Sequence, residues 1–236
     1  MNLIPAAVTR SYAAYALIWC LFLAVTPARV VVVEQFRRLP TALRGVFWLG
    51  LACGTLLVLL DALLMVHIDA YAVTGAWRPG SGAVVATVLW ATTVSVTEEM
   101  IVRGLLLTRF RQVVRGATAV LLTAAIFAVM HVGRADFNGV AVVQYFLDGL
   151  LLGWMVLITG SIWVGTGVHL AKNLCVALLF GASKRLVEPL LLQVPASSAA
   201  TLVPAMDLLA YVAVLPFCLL LYVRASRPGR TRRSTG

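Results

Sequence analysis

The sequence predicts an all-α protein: a polytopic transmembrane helical bundle of about seven spans, with a core of about four helices. Three observations carry this. Of 236 residues, 61% are hydrophobic and 12% charged, roughly half the charged share of an ordinary soluble domain. Apolar runs long enough to cross about 30 Å of hydrocarbon recur along the whole chain. Where such runs lie in lipid, only helices or closed barrels satisfy the backbone, and the run length selects helices.

The spans follow in order at 12–33, 46–67, 82–108, 117–133, 140–158, 161–181 and 202–223. The first resembles a signal peptide in length. It has no small-residue cleavage site and ends in Pro27, Arg29 and a basic stretch, so it reads as a retained span. A loop over 34–45 carries Arg37, Arg38 and Arg44, the next basic loop carries Arg109, Arg111 and Arg115, and the tail carries Arg224, Arg227, Arg230, Arg232 and Arg233. Seven spans put these three clusters on one side. Arg10, Arg78, Arg134, Lys184 and Arg185 fall on the other. The bias places the N-terminus outside and the C-terminus in the cytoplasm. Small size and a single helical chain point to a prokaryotic cytoplasmic membrane. The same topology accounts for the net charge of +10 without a nucleic-acid partner. A reporter fused after Arg115 or at the C-terminus is therefore expected to report cytoplasm, and one near Asn138 the outside. A cytoplasmic signal at Asn138 would overturn the orientation.

Organised this way, residues 1–81 form N-terminal spans with a basic cytoplasmic loop, 82–181 a core of four spans, 182–223 a loop and final span, and 224–236 a basic disordered tail. Cys20, Cys53, Cys175 and Cys218 all fall inside apolar runs without metal-ligand spacing, as small core residues do.

Charge inside the spans is the informative exception. TEEMIVRGLLL, residues 97–107, sets two glutamates and an arginine in an apolar run, where each charge costs roughly 2.5–3.5 kcal/mol at a helix centre. FAVMH, residues 127–131, places Phe127 and His131 four apart, and HLAKN, residues 169–173, does the same for His169 and Asn173. At a rise of about 1.5 Å per residue, Glu98 lies roughly 14 Å from the cytoplasmic end near Leu107. His131 lies roughly 18–21 Å above the start of its helix, and His169 and Asn173 roughly 12 and 18 Å above theirs. Three helices thus bring polar groups to one band, which points to a shared buried site.

Helical geometry also divides the glutamates. Glu99 and Arg103, four apart, can pair along the helix. Glu98 points about 100° away from Glu99 and about 140° from Arg103, so it is the candidate for chemistry and the pair the candidate brace. A carboxylate with a histidine can deprotonate water, and a histidine with an amide can donate to an oxyanion. No GxSxG, no HExxH and no GxGD aspartate pair offers a competing centre. His67, near Asp61 at a span end, reads as interfacial.

Taken together, EEMIVR, FAVMH and HLAKN match the EExxxR, FxxxH and HxxxN patterns in order. Over about residues 82–181 the chain resembles the CAAX protease and bacteriocin-processing (Abi) family of glutamic intramembrane endopeptidases. GLLL after Arg103 and GWMVLITGSIWVGTGVH before the third motif also look like it. The resemblance implies a membrane-associated protein or peptide substrate, water activation by Glu98 with His131, an oxyanion hole of His169 and Asn173, and support from Glu99, Arg103 and Phe127. Known substrates of the family are prenylated CAAX tails, bacteriocin or signalling-peptide precursors and other C-terminal anchors. For a prokaryotic chain a peptide or C-terminal anchor is favoured. Two departures stand out: Val102, where many members have an aromatic, and Lys172, which can pair with Asp148 as a brace or meet substrate.

No cofactor is expected. One alternative keeps the chemistry but makes Glu98, His131 and His169 zinc ligands with an open position. Asn173, aligned with His169, suits an oxyanion donor better than a ligand. A proton-coupled transporter could use the same acids and histidines as a relay, though no internal repeat supports it. A non-catalytic immunity protein would keep its function after loss of Glu98.

Overall fold

The computed structural model describes residues 24, 26–43, 45–73, 81–132, 139–180, 191–193 and 211. They form α1 (Thr26–Ala42), α2 (Val46–His67), β1 (Tyr71–Val73), α3 (Ser81–Glu99), α4 (Gly116–Val129), α5 (Gly139–Thr159), α6 (Ile162–Phe180) and β2 (Leu191–Gln193). After Glu99 the third helix does not stop. It widens into a π-helix over Met100–Leu107 and closes with one α-turn, Thr108–Phe110. π-helical stretches are uncommon and concentrate at functional sites. This one holds the arginine of the first motif.

Among the described residues, four helices are long and apolar enough to cross a membrane: Val46–His67, Gly82–Phe110, Ala141–Thr159 and Ile162–Leu179. The expected fourth span, 117–133, is shorter. Its helix of 14 residues covers only about 21 Å, and Met130, His131 and Val132 follow in a tightened turn through His131 N–H to Ala128 O at 3.1 Å and Val132 N–H to Val129 O at 3.0 Å. The spans at 12–33 and 202–223 lie almost wholly outside the described residues. The loop expected over 34–45 is largely helical, because α1 runs through to Ala42. Glu34 supports it by bonding Arg38 at 2.8 Å, one turn on. β1 and β2 add a short antiparallel pair with Tyr71 opposite Gln193. Three-residue strands give no readable period in the sequence.

In lipid, helices associate by close packing, and small residues allow it. α2 and α6 meet backbone to backbone. A Cβ on Gly50 would stand 2.1 Å from Val164 O, one on Gly54 2.5 Å from Val168 O, and one on Gly167 2.3 Å from Phe47 O. Gly50 and Gly54 form a G-xxx-G pair, and their partners also step by four, so the two helices run parallel. Gly149 and Gly153 of α5 press on Ala124 and Val120 of α4 in the opposite sense, so that pair is antiparallel. Between α5 and α6, Gly160 takes φ +69° and donates to Val156 O at 2.8 Å, ending α5 as αL glycines do. Ser161 Oγ then accepts from Trp163 N–H at 3.3 Å to start α6. α1 crosses the head of α6, where Trp163 Nε1 donates to Gln35 O at 2.9 Å and Phe36 meets the Trp163 ring edge-on.

Candidate active site

The first motif sits where α3 becomes π-helical, facing α6 and α4. Arg103 donates to Glu99 Oε1 at 2.7 Å and to the carbonyl of Gly149 at 3.2 Å. Its guanidinium carbon lies 4.5 Å from the centre of the Phe127 ring. Both side chains of the pair are wholly buried, at 0% exposure. The remaining carboxylate oxygen, Glu99 Oε2, has no hydrogen-bond partner among the described residues. It is pressed against Gly165 of α6, where a Cβ would come within 2.9 Å. Gly165 stands one turn before His169, so a bare backbone there makes room for the buried acid.

Glu98 points to the other side. Its Oε2 lies 3.9 Å from His131 Nε2 and 3.7 Å from His169 Nε2. All three side chains keep 10% exposure, in contrast to the sealed Glu99–Arg103 pair. The histidines are oriented from behind. His131 Nδ1 lies 2.8 Å from Phe127 O. A carbonyl only accepts, so Nδ1 carries the proton and Nε2 turns to Glu98. His169 Nδ1 lies 3.3 Å from Glu99 Oε1, a carboxylate acceptor, and again Nε2 faces Glu98. Phe127 fills the space between, its ring 4.7 Å from that of His131 and 5.9 Å from that of His169.

Asn173 does not join this cluster directly. Its Nδ2 donates to Ser95 Oγ at 3.0 Å, one turn along α3 from Glu98. Lys172 and Asp148 are hydrogen-bonded to each other, and both meet Tyr211, whose ring also lies 4.6 Å from the Lys172 ammonium. This network ties α5 and α6 to a residue of the expected final span. Val102 is fully buried. Sequence reasoning missed Ser95, Gly165 and Tyr145, which stacks on His131 at 3.9 Å between ring centres. The first two had a helical signal, three before Glu98 and four before His169. Tyr145 had none.

The fit of a metal can be tested on these atoms. Both Nε2 atoms are available, yet among the described residues no three His, Cys, Asp or Glu side chains stand in an arrangement that could hold a metal ion.

These features define a helical integral membrane protein with a carboxylate and two histidines at a nearly buried centre. Residues 80–175 match the family model described as type II CAAX prenyl endopeptidase Rce1-like. That stretch, which runs from the head of α3 into α6 and contains all three motifs, is similar to this CAAX protease family, the one its motifs resemble. No curated protein and no solved structure matches the chain.

Proposed function

We propose that the protein is an intramembrane endopeptidase that cuts a peptide bond near the C-terminal anchor of a membrane-associated protein or peptide, through a water activated by Glu98. The observation that carries this reading is the convergence of two proton-directed histidines on one carboxylate oxygen, at 3.9 and 3.7 Å. A water about 2.8 Å from both Glu98 Oε2 and His131 Nε2 can donate to each. Glu98 takes its proton, the oxygen attacks the carbonyl carbon, and the carbonyl oxygen becomes an oxyanion. His169 and Asn173 donate to that oxyanion. In this role His169 carries a proton on both nitrogens, Nδ1–H on Glu99 and Nε2–H on the oxyanion. Arg103 and His169 then balance the charges of Glu98 and Glu99. The proton held by Glu98 passes to the leaving nitrogen as the C–N bond breaks. Glu99 with Arg103, and Lys172 with Asp148, brace the helices; Phe127 spaces the rings. The seven-span topology with a cytoplasmic C-terminus belongs to the same proposal.

The test is cleavage by purified protein in detergent micelles, using internally quenched peptides with a C-terminal CAAX sequence, farnesylated and unmodified. Turnover of at least one is expected, and it is expected to survive prolonged dialysis against a zinc chelator. Loss on dialysis, with recovery by stoichiometric zinc, would replace the water-activating glutamate by a metal centre. Ion-dependent flux in proteoliposomes without any cleavage would favour the transporter.

A further inference from the structure

We infer that Ser95 is a positioning residue for the oxyanion donor Asn173, which rests on the proposed role of Asn173. Ser95 and Glu98 are three apart on α3, and Asn173 and His169 are four apart on α6, so each pair shares a helix face. The helices run antiparallel at this level, since Glu99 meets His169 while Ser95 meets Asn173. The two contacts are adjacent rungs of one interface. On one rung a carboxylate orients the His169 imidazole; on the next a hydroxyl takes one proton of the Asn173 amide at 3.0 Å.

That contact is the hydrogen bond Asn173 makes among the described residues, and Ser95 is fully buried at 0% exposure. A primary amide carries two N–H groups. Anchoring one on a buried hydroxyl fixes the amide plane and leaves the second N–H with a set direction. An oxyanion hole depends on donors that need no reorganisation when charge develops. A free asparagine rotates about two side-chain bonds and loses that advantage. Three threonines on these helices, Thr87, Thr97 and Thr166, return their hydroxyls to backbone carbonyls of their own helix, as Thr123 does on α4. Ser95 instead makes a contact across helices.

The test is a double-mutant cycle on the same quenched peptide, with kcat and KM measured separately. Alanine fits the space of Ser95 and favours the helix, and gel filtration checks the fold. Ser95→Ala is expected to lower kcat roughly 10-fold with little change in KM. Asn173→Ala is expected to lower kcat roughly 10²–10³-fold. In the Asn173→Ala background, Ser95→Ala is expected to change nothing further, because the group it positions is gone. An equal loss in both backgrounds, a loss confined to KM, or no loss from Ser95→Ala in the presence of Asn173 overturns the inference alone. A neutral Asn173→Ala overturns the oxyanion reading and this inference together.

Discussion

Glu98→Gln is expected to abolish cleavage while the protein folds with nearly unchanged yield in detergent. The substitution keeps the shape of the side chain, so the packing against His131 and His169 survives. It removes the carboxylate that takes the proton from the water, and leaves an amide that cannot accept it in place of the base. General base catalysis by a positioned side chain is worth roughly 10²–10⁴-fold, and here the base also makes the nucleophile. Glu98 is not part of the sealed ion pair. Its side chain keeps 10% exposure, whereas those of Glu99 and Arg103 keep none, so the loss of its charge disturbs the fold less than the loss of either charge of that pair. Cleavage of the quenched peptide and gel filtration of the same preparation provide both readouts. Full activity would remove the reason for placing chemistry at Glu98. Aggregation of Glu98→Gln beside a folded, inactive Glu99→Gln would reverse the roles of the two glutamates.

Much of this centre was legible because helical spacing carries it. The four-residue steps from Glu99 to Arg103 and from Phe127 to His131 survive in the structure as direct contacts, at 2.7 Å and through the backbone carbonyl at 2.8 Å. Rise per residue put Glu98, His131, His169 and Asn173 in one band, and the side chains of the first three meet, whereas Asn173 bonds Ser95 instead. The angular separation of the glutamates was read from α-helical geometry. The chain becomes π-helical at Met100, yet the pairing is kept because Arg103 can still reach back across the wider turn.

What was not legible depends on contacts between helices. The step from His169 to Asn173 placed both on one face, but nothing in the spacing shows that Asn173 meets Ser95 on α3. The fit of Glu99 against Gly165 needs the distance between two backbones, as does the seating of Gly50 on Val164. The basic stretch after Arg29 read as a loop because charge was weighed by side of the membrane; in the structure α1 runs through it to Ala42, with Glu34 and Arg38 paired one turn apart on its surface. The second motif read as the inside of a span. His131 in fact stands just past the end of α4, where Nδ1 can bond a carbonyl of the final turn.

Arg103→Ala is expected to cost the fold rather than the chemistry, lowering the detergent melting temperature by about 6–20 °C. Breaking a buried pair by removing one partner costs roughly 3–5 kcal/mol, and each kcal/mol moves the midpoint of a chain this size by about 2–4 °C. The residue is placed to matter. It joins Glu99 of its own helix, the Gly149 carbonyl of α5 and the Phe127 ring of α4, and Glu99 in turn holds His169 of α6. Without the guanidinium, Glu99 is a fully buried carboxylate squeezed against Gly165, with His169 as its remaining partner. Glu99→Gln should also destabilise, by stranding Arg103. The combination Glu99→Gln with Arg103→Met is the discriminating case. It removes both charges and keeps most of the volume, so it should melt well above Arg103→Ala alone, as replaced buried pairs do. Thermal unfolding followed by intrinsic tryptophan fluorescence measures all three. If Arg103→Ala melts with the unsubstituted protein yet cleaves nothing, Arg103 acts in the reaction, and the division between a sealed brace and a single working acid does not hold.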